Sequence, residues 1–262
     1  MMLKDKVAVI YGAGGAIGAA VARAFASEGA KLFLTGRKLA AVEVVAKEIV
    51  AAGGSAEAAE VDALDEQAID EHLQSVIEAG SVDISFDAVG IPGTKTYGVP
   101  LVELDVEQFS LPITTNVTSY FLTARLAARR MIPNKSGVIM TATTLHARTG
   151  LPTAGGYGPA NAAKEALTRE LSAELAPHGI RVVSLRPQAM PETDTIKEAF
   201  EARAKGTGMT WEQFQELGAS TTHTRRLMTL AEMANVAVFM ASDKASGMTG
   251  TTVNLSMGTL DD

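Results

Sequence analysis

Lys6-Val7-Ala8-Val9-Ile10-Tyr11-Gly12-Ala13-Gly14-Gly15-Ala16-Ile17-Gly18, near the N-terminus, decides the fold. The apolar, β-branched run Lys6–Tyr11 reads as a buried strand. The glycines that follow permit a tight turn and let backbone N–H groups approach an anion. A helix then opens at Ala16, and its N-terminal dipole favours negative charge. A purely structural turn can carry the same letters. Placed between an N-terminal strand and a helix, however, the loop reads as the pyrophosphate cradle of a dinucleotide, with Gly12, Gly14, Gly15, Ile17 and Gly18 as its residues.

The rest of the chain repeats the theme. Short strands are expected at Lys31–Thr35, Ala56–Val61, Val82–Val89, Gly137–Thr143, Ile180–Leu185 and Thr252–Leu255. Between them, helical patterns cover Ala16–Ser27, Lys38–Ala52, Asp65–Ala79, Pro112–Met131, Gly155–Ala176 and Leu230–Ala241. Strands alternating with helices of this length imply parallel βαβ units. The expected fold is α/β: a single Rossmann-type domain over residues 1–262, a doubly wound parallel sheet with helices on both faces. One segment breaks the rhythm. Gln188–Arg226 inserts about forty residues, with polar helical stretches at Thr195–Lys205 and Trp211–Leu217 and breaks at Gly206 and Gly208. A loop this long after a parallel strand suggests a lid over a ligand, with a surface excursion or subunit contact as the plainer reading.

Composition narrows the classes. The 262 residues are 47% hydrophobic, enough for a large core. A net charge of −7 leaves no nucleic-acid footprint. There is no cysteine, so disulfides, thiolate metal sites and cysteine nucleophiles are excluded. The apolar run before Gly12 is too short for a signal peptide, and no stretch reaches the roughly 18 apolar residues of a membrane span. A cytoplasmic protein with neither membrane nor nucleic-acid partner is expected.

Which dinucleotide is bound should show after the second strand, where an acidic residue would hold an adenosine ribose. Thr35-Gly36-Arg37-Lys38 stands there instead. No carboxylate repels a 2′-phosphate, and Arg37 can clamp one, so NADP(H) is preferred, with NAD(H) possible. Asp62-Ala63, after the third strand, is placed to meet an adenine edge. Alternatively, Asp62 simply caps the next helix.

Taken together, these motifs resemble the short-chain dehydrogenase/reductase superfamily, and particularly its 3-oxoacyl-carrier-protein reductase-like branch. The resemblance spans essentially the whole chain, though no motif is intact. Ala16 replaces the middle glycine of the loop. Asp87-Ala88-Val89-Gly90 stands for the usual Asn-Asn-Ala-Gly. Gln188 replaces the glycine after Pro187. The resemblance implies a nicotinamide cofactor touching Ala88, Val89, Gly90 and Pro187, a small-molecule carbonyl or alcohol substrate, and a homo-oligomer, tetramer or dimer, built by the long helices. It also implies a tetrad of asparagine, serine, tyrosine and lysine. The tyrosine passes a proton while hydride moves, and the lysine holds the nicotinamide ribose and lowers the tyrosine's pKa.

Register maps that tetrad. From Tyr157 to Gly179-Ile180 the family spacing fits without a gap. This gives Asn116, Thr144, Tyr157 and Asn161, with Asn161 in the lysine's place. Matching Lys164 to the lysine would instead put Ala160 on the tyrosine and demand a later deletion. Thr144 keeps the serine's hydroxyl; Asn161 keeps a hydrogen-bonding group but no charge. Lys164 lies seven residues beyond Tyr157 on the same stripe and leans back toward Asn161, as an auxiliary cation or as a lysine bridging to Glu165, a neighbouring subunit or solvent. His146 reads equally as pocket lining or as a loop histidine, and His72, His178 and His223 as surface residues. Asp87 could pair, cap or meet the cofactor. The expectation is an oxidoreductase with an altered tetrad. A cofactor-binding protein with little hydride transfer, or a non-redox reaction on the same scaffold, are the alternatives.

Overall fold

A computed structural model describes residues 1–91 and 97–261; the side chains of residues 195 and 202–207 lie outside the description. Seven strands form one sheet in the order β3-β2-β1-β4-β5-β6-β7, every neighbouring pair parallel. They are β1 Val7–Tyr11, β2 Lys31–Gly36, β3 Ser55–Glu60, β4 Ile84–Asp87, β5 Gly137–Ala142, β6 Ile180–Pro187 and β7 Thr251–Leu255. The order reverses between β1 and β4, opening a crevice at their carboxyl ends.

Strand residues alternate between two cores, as the pleat requires. Ala8, Ile10, Leu32, Leu34 and Met140 face α1 Ala16–Ser27, α2 Leu39–Ala51 and α8 Leu230–Ala241. Val7, Val9, Phe33, Ile139 and Val182 face α3 Glu66–Glu78, α4 Val106–Met131 and α5 Tyr157–Leu175. Both faces are therefore apolar, and the sheet has no solvent side. No helix of the described residues is long and apolar enough to cross a membrane.

Three local readings need correction. Helix α4 starts at Val106 rather than Pro112, because Asp105 caps it by accepting from Gln108 N–H at 2.7 Å and Pro112 lies inside it. Asp62 does not cap α3. Asp65 does, accepting from Gln67 and Ala68, while Asp62 turns back on Leu64 N–H at 3.0 Å. His72 is half-buried rather than exposed: it packs edge-on against Phe33, 6.3 Å between ring centres, and burial lowers its pKa to about 4.

Beyond β6 the excursion forms α6 Asp194–Thr207 and α7 Trp211–Ser220. Helix α6 runs through Gly206, so the break falls only at Gly208, whose φ is +65°. Thr210 and Gln213 form a reciprocal capping box that starts α7 afresh.

Candidate active site

The crevice at the switch point is a cavity of about 1300 Å³ running from the Gly12 loop to helices α6 and α7. At its floor, Gly12 has φ +74°, and a Cβ there would sit 2.7 Å from the Ala88 carbonyl oxygen. No other residue fits this contact between the loop and the end of β4. Gly14, Gly15 and Ile17 line the cavity where α1 begins. Gly18 lies beneath the loop instead, where a side chain would overlap the Gly12 carbonyl, so its task is to let α1 approach β1. Arg37, exposed at the end of β2, and Asp62 and Ala63 after β3 line one end of the cavity. Ala88, Val89, Gly90 and Pro187 line its middle. Glycine backbone at a helix N-terminus, a basic residue at one end and a crevice at the switch point together fit a dinucleotide.

Asn116, Thr144, Tyr157 and Asn161 converge on this cavity from α4, the turn after β5, and α5. Thr144 begins a short 3₁₀ turn at Leu145–Ala147, accepting from His146 N–H at 3.4 Å. This turn sets the Thr144 side chain beside the Tyr157 hydroxyl, whose pKa it lowers. Burial pushes the Tyr157 hydroxyl up from its ordinary pKa, and Thr144 pulls it partly back. Tyr157 opens α5 next to Gly156, where any side chain would overlap the Phe109 carbonyl of α4. Asn161 donates from Nδ2 to the Tyr157 carbonyl one turn back at 2.9 Å, leaving its oxygen as an acceptor. Asn116 is buried, and its Oδ1 has no partner among the described residues.

Lys164 follows the lean expected of it but meets neither Glu165 nor solvent. Its ammonium donates to Asp87 Oδ1 at 3.1 Å, both side chains being at most 2% exposed, and lies 5.6 Å from the centre of the Tyr120 ring. Thr141 Oγ1 donates to the Asp87 carbonyl at 3.0 Å. Asp87 thus takes the pairing role among the three open to it. Glu165 binds Arg186 of β6 instead, with Nε to Oε1 at 2.8 Å and Nη2 to Oε2 at 2.7 Å, while Thr143 donates to Oε1 at 3.0 Å. This second buried pair fixes the strand end that carries Thr144.

A family model described as enoyl-(acyl carrier protein) reductase matches residues 12–259. The chain belongs to the short-chain dehydrogenase/reductase family. It is 31% identical to uncharacterized oxidoreductase YxbG of Bacillus subtilis strain 168, over 98% of this chain and 91% of that one. With 7alpha-hydroxysteroid dehydrogenase of Escherichia coli K12 it shares 30% identity over 98% and 95% of the two chains. The crystal structure of NAD⁺-bound xylitol dehydrogenase matches at a TM-score of 0.89 and 27% identity, covering 97% of this chain and 98% of the other. Membership brings an oxidoreductase scaffold built for a nicotinamide cofactor and a small-molecule substrate.

Sequence reading of this short-chain dehydrogenase/reductase misses three features of the site. Tyr97 packs its ring 5.8 Å from that of Tyr157 and lines the cavity, but it lies in a stretch between β4 and α4 that carries no motif. The Glu165–Arg186 pair leaves only a faint signal, a charged residue at the end of an apolar strand. Phe214 and Leu217 of α7 line the cavity too, although the stretch Trp211–Leu217 read only as a polar helix of the segment expected over a ligand. His146 does line the cavity, its Nδ1 3.1 Å from Thr149 Oγ1.

Proposed function

We propose that this protein is an NADP(H)-dependent oxidoreductase acting on a carbonyl or alcohol, working more readily as a reductase, through Asn116, Thr144, Tyr157 and Asn161. One observation carries the reading: the Tyr157 and Thr144 hydroxyls stand together on the cavity that begins at a glycine-rich helix start. When bound, the nicotinamide supplies or accepts hydride. Thr144 orients the substrate oxygen, and Tyr157 gives it a proton during reduction. The raised pKa keeps Tyr157 protonated at neutral pH, which suits a donor and handicaps a base. Asn161 offers its oxygen to a ribose hydroxyl, and Arg37 supports the choice of a 2′-phosphate. Residues 188–226 act as a lid, and the exposed Phe121 on α4, with Arg125 4.9 Å from its ring centre, supports an oligomer built on the long helices.

A second reading, a dinucleotide-binding protein with little turnover, draws support from the charge arrangement. Asn161 is neutral, and the Lys164 ammonium is tied to Asp87 rather than set beside Tyr157. Titration with NADPH and NADH, followed by a panel of carbonyls and alcohols, separates the two. NADPH is expected to bind at least tenfold tighter than NADH, with reduction of some carbonyl compound abolished in Tyr157→Phe. Equal affinities would remove the role given to Arg37. Tight NADPH binding with no turnover across the panel would establish the second reading.

A further inference from the structure

Helix α7 has an apolar face with no core beneath it. None of its residues is fully buried, yet Trp211 stacks on Phe214 at 5.8 Å and 18°, and Phe200 of α6 meets both, at 5.1 Å and 5.5 Å. Phe214 and Leu217 project into the cavity. There they are joined by Leu151, Met190, Ile196 and Leu227, at the end away from Arg37 and Lys38. The whole cavity, about 1300 Å³, exceeds the roughly 300–1,000 Å³ of a single small-ligand site, which leaves room for a second ligand at this end.

Several of the polar groups at this end are already engaged by the protein. Thr153 donates to the Pro152 carbonyl at 2.7 Å, Thr193 to Met190 at 2.9 Å, Thr221 to Gly218 at 2.7 Å and Thr149 to Leu145 at 3.3 Å. Gln188 uses its amide on Thr259 at 2.8 Å and its oxygen on Ala189 N–H at 2.8 Å. The threonine hydroxyl hydrogens are thus turned onto protein carbonyls, and the Asp194 and Glu198 carboxylates accept but do not donate, so this end repays only part of the water that a polyol's many hydroxyls would lose. Among the described residues lining this end, the charged side chains that are not histidine are the acidic Asp194 and Glu198, which repel phosphate or carboxylate.

We infer that the substrate end of the cavity takes a neutral, largely hydrocarbon carbonyl compound or its alcohol. The oxygen would point at Tyr157 and the skeleton would pack under Phe214, Leu217 and the aromatic cluster of α6 and α7. This inference rests on the proposed role of Tyr157 for the direction of the oxygen, but the preference itself can be read without turnover. Trp211 is the only tryptophan in the chain, and it stacks on a residue that lines the cavity, so its emission reports occupancy.

The test titrates the full chain, saturated with NADP⁺, with 2-decalone, 2-decanone, xylitol and sorbitol 6-phosphate, following Trp211 emission and checking affinity by calorimetry. The ketones are expected to bind at least about tenfold tighter than xylitol, with a change in emission, and sorbitol 6-phosphate not to compete. Phe214→Ala should weaken ketone binding about tenfold, as losing one aromatic contact surface implies, with NADP⁺ affinity within twofold as the check on folding. Leu217→Asp, at an exposed position, should do the same without touching the aromatic cluster. Tighter binding of xylitol or of sorbitol 6-phosphate would overturn the inference, as would unchanged ketone affinity in both variants. A bound ketone that NADPH does not reduce would leave the pocket's preference standing and count against the proposed hydride transfer instead.

Discussion

At the scale of single residues, the proposed chemistry rests on Tyr157 and Asn161. A tyrosine withdrawn from water, with a hydroxyl neighbour and no free cation beside it among the described residues, holds its proton, because burial penalises the phenolate. The sign of the pH dependence follows. Reduction needs the protonated form and should stay flat through the neutral range, falling only in alkali. Oxidation needs the deprotonated form and should climb with pH over the same range. Asn161→Lys puts a charge one helical turn from Tyr157, on the same stripe. It should lower the Tyr157 pKa and raise oxidation at pH 8 about tenfold or more, with a smaller effect on reduction. The pH–rate profiles of both directions decide the matter. Coinciding profiles for the variant and the native chain would mean that Tyr157 is not the titrating group. The proposed place of Asn161 was read without coordinates, from the helix register between Tyr157 and Gly179. The partner of Lys164 was not, since it comes from β4, 77 residues away in sequence.

Elements are held in place around the site by two buried ion pairs, and both join α5 to the sheet. Lys164 reaches β4 through Asp87, and Glu165 reaches β6 through Arg186. Adjacent residues on one helix thus grip two strands on either side of β5, the strand that delivers Thr144. Strands and helices were legible in the chain because apolar periodicity and glycine stops mark them. The grip was not, because ion-pair partners leave no local pattern. The start of α4 was misplaced for a related reason: Pro112 reads as a helix opener, but capping by Asp105 outweighs it. Removing one member of a buried pair strands a charge in low dielectric, whereas removing both does not. Lys164→Met should therefore cost about 3–5 kcal/mol of unfolding free energy, and Asp87→Asn with Lys164→Met should recover most of it. Urea unfolding of the two variants checks this. Equal stability of both would mean that the pair carries little of the packing between β4 and α5.

Across the whole molecule, the cavity joins the two halves of the sheet at the reversal between β1 and β4. Its lining comes from the end of β2 and the turn after β3 on one side and from α4, α5, α6 and α7 on the other. A ligand along the full crevice contacts elements from both halves of the sheet, so its binding should stabilise the fold as a unit. At a hundredfold excess over Kd the gain is about 2.7 kcal/mol, or roughly 5–10 °C in Tm for a chain of this size. Arg37 stands outside both cores at the rim, exposed, and can be altered without disturbing packing. If it clamps a 2′-phosphate, Arg37→Ser should erase most of the Tm rise given by NADP⁺ at a fixed concentration while leaving that given by NAD⁺ unchanged, with the unliganded Tm within about 1 °C of the native value. Thermal melts at matched concentrations of the two dinucleotides read this directly. An equal loss for both would move Arg37 from cofactor choice to a general electrostatic role at the rim, and the choice of dinucleotide would then rest with residues other than those at the end of β2.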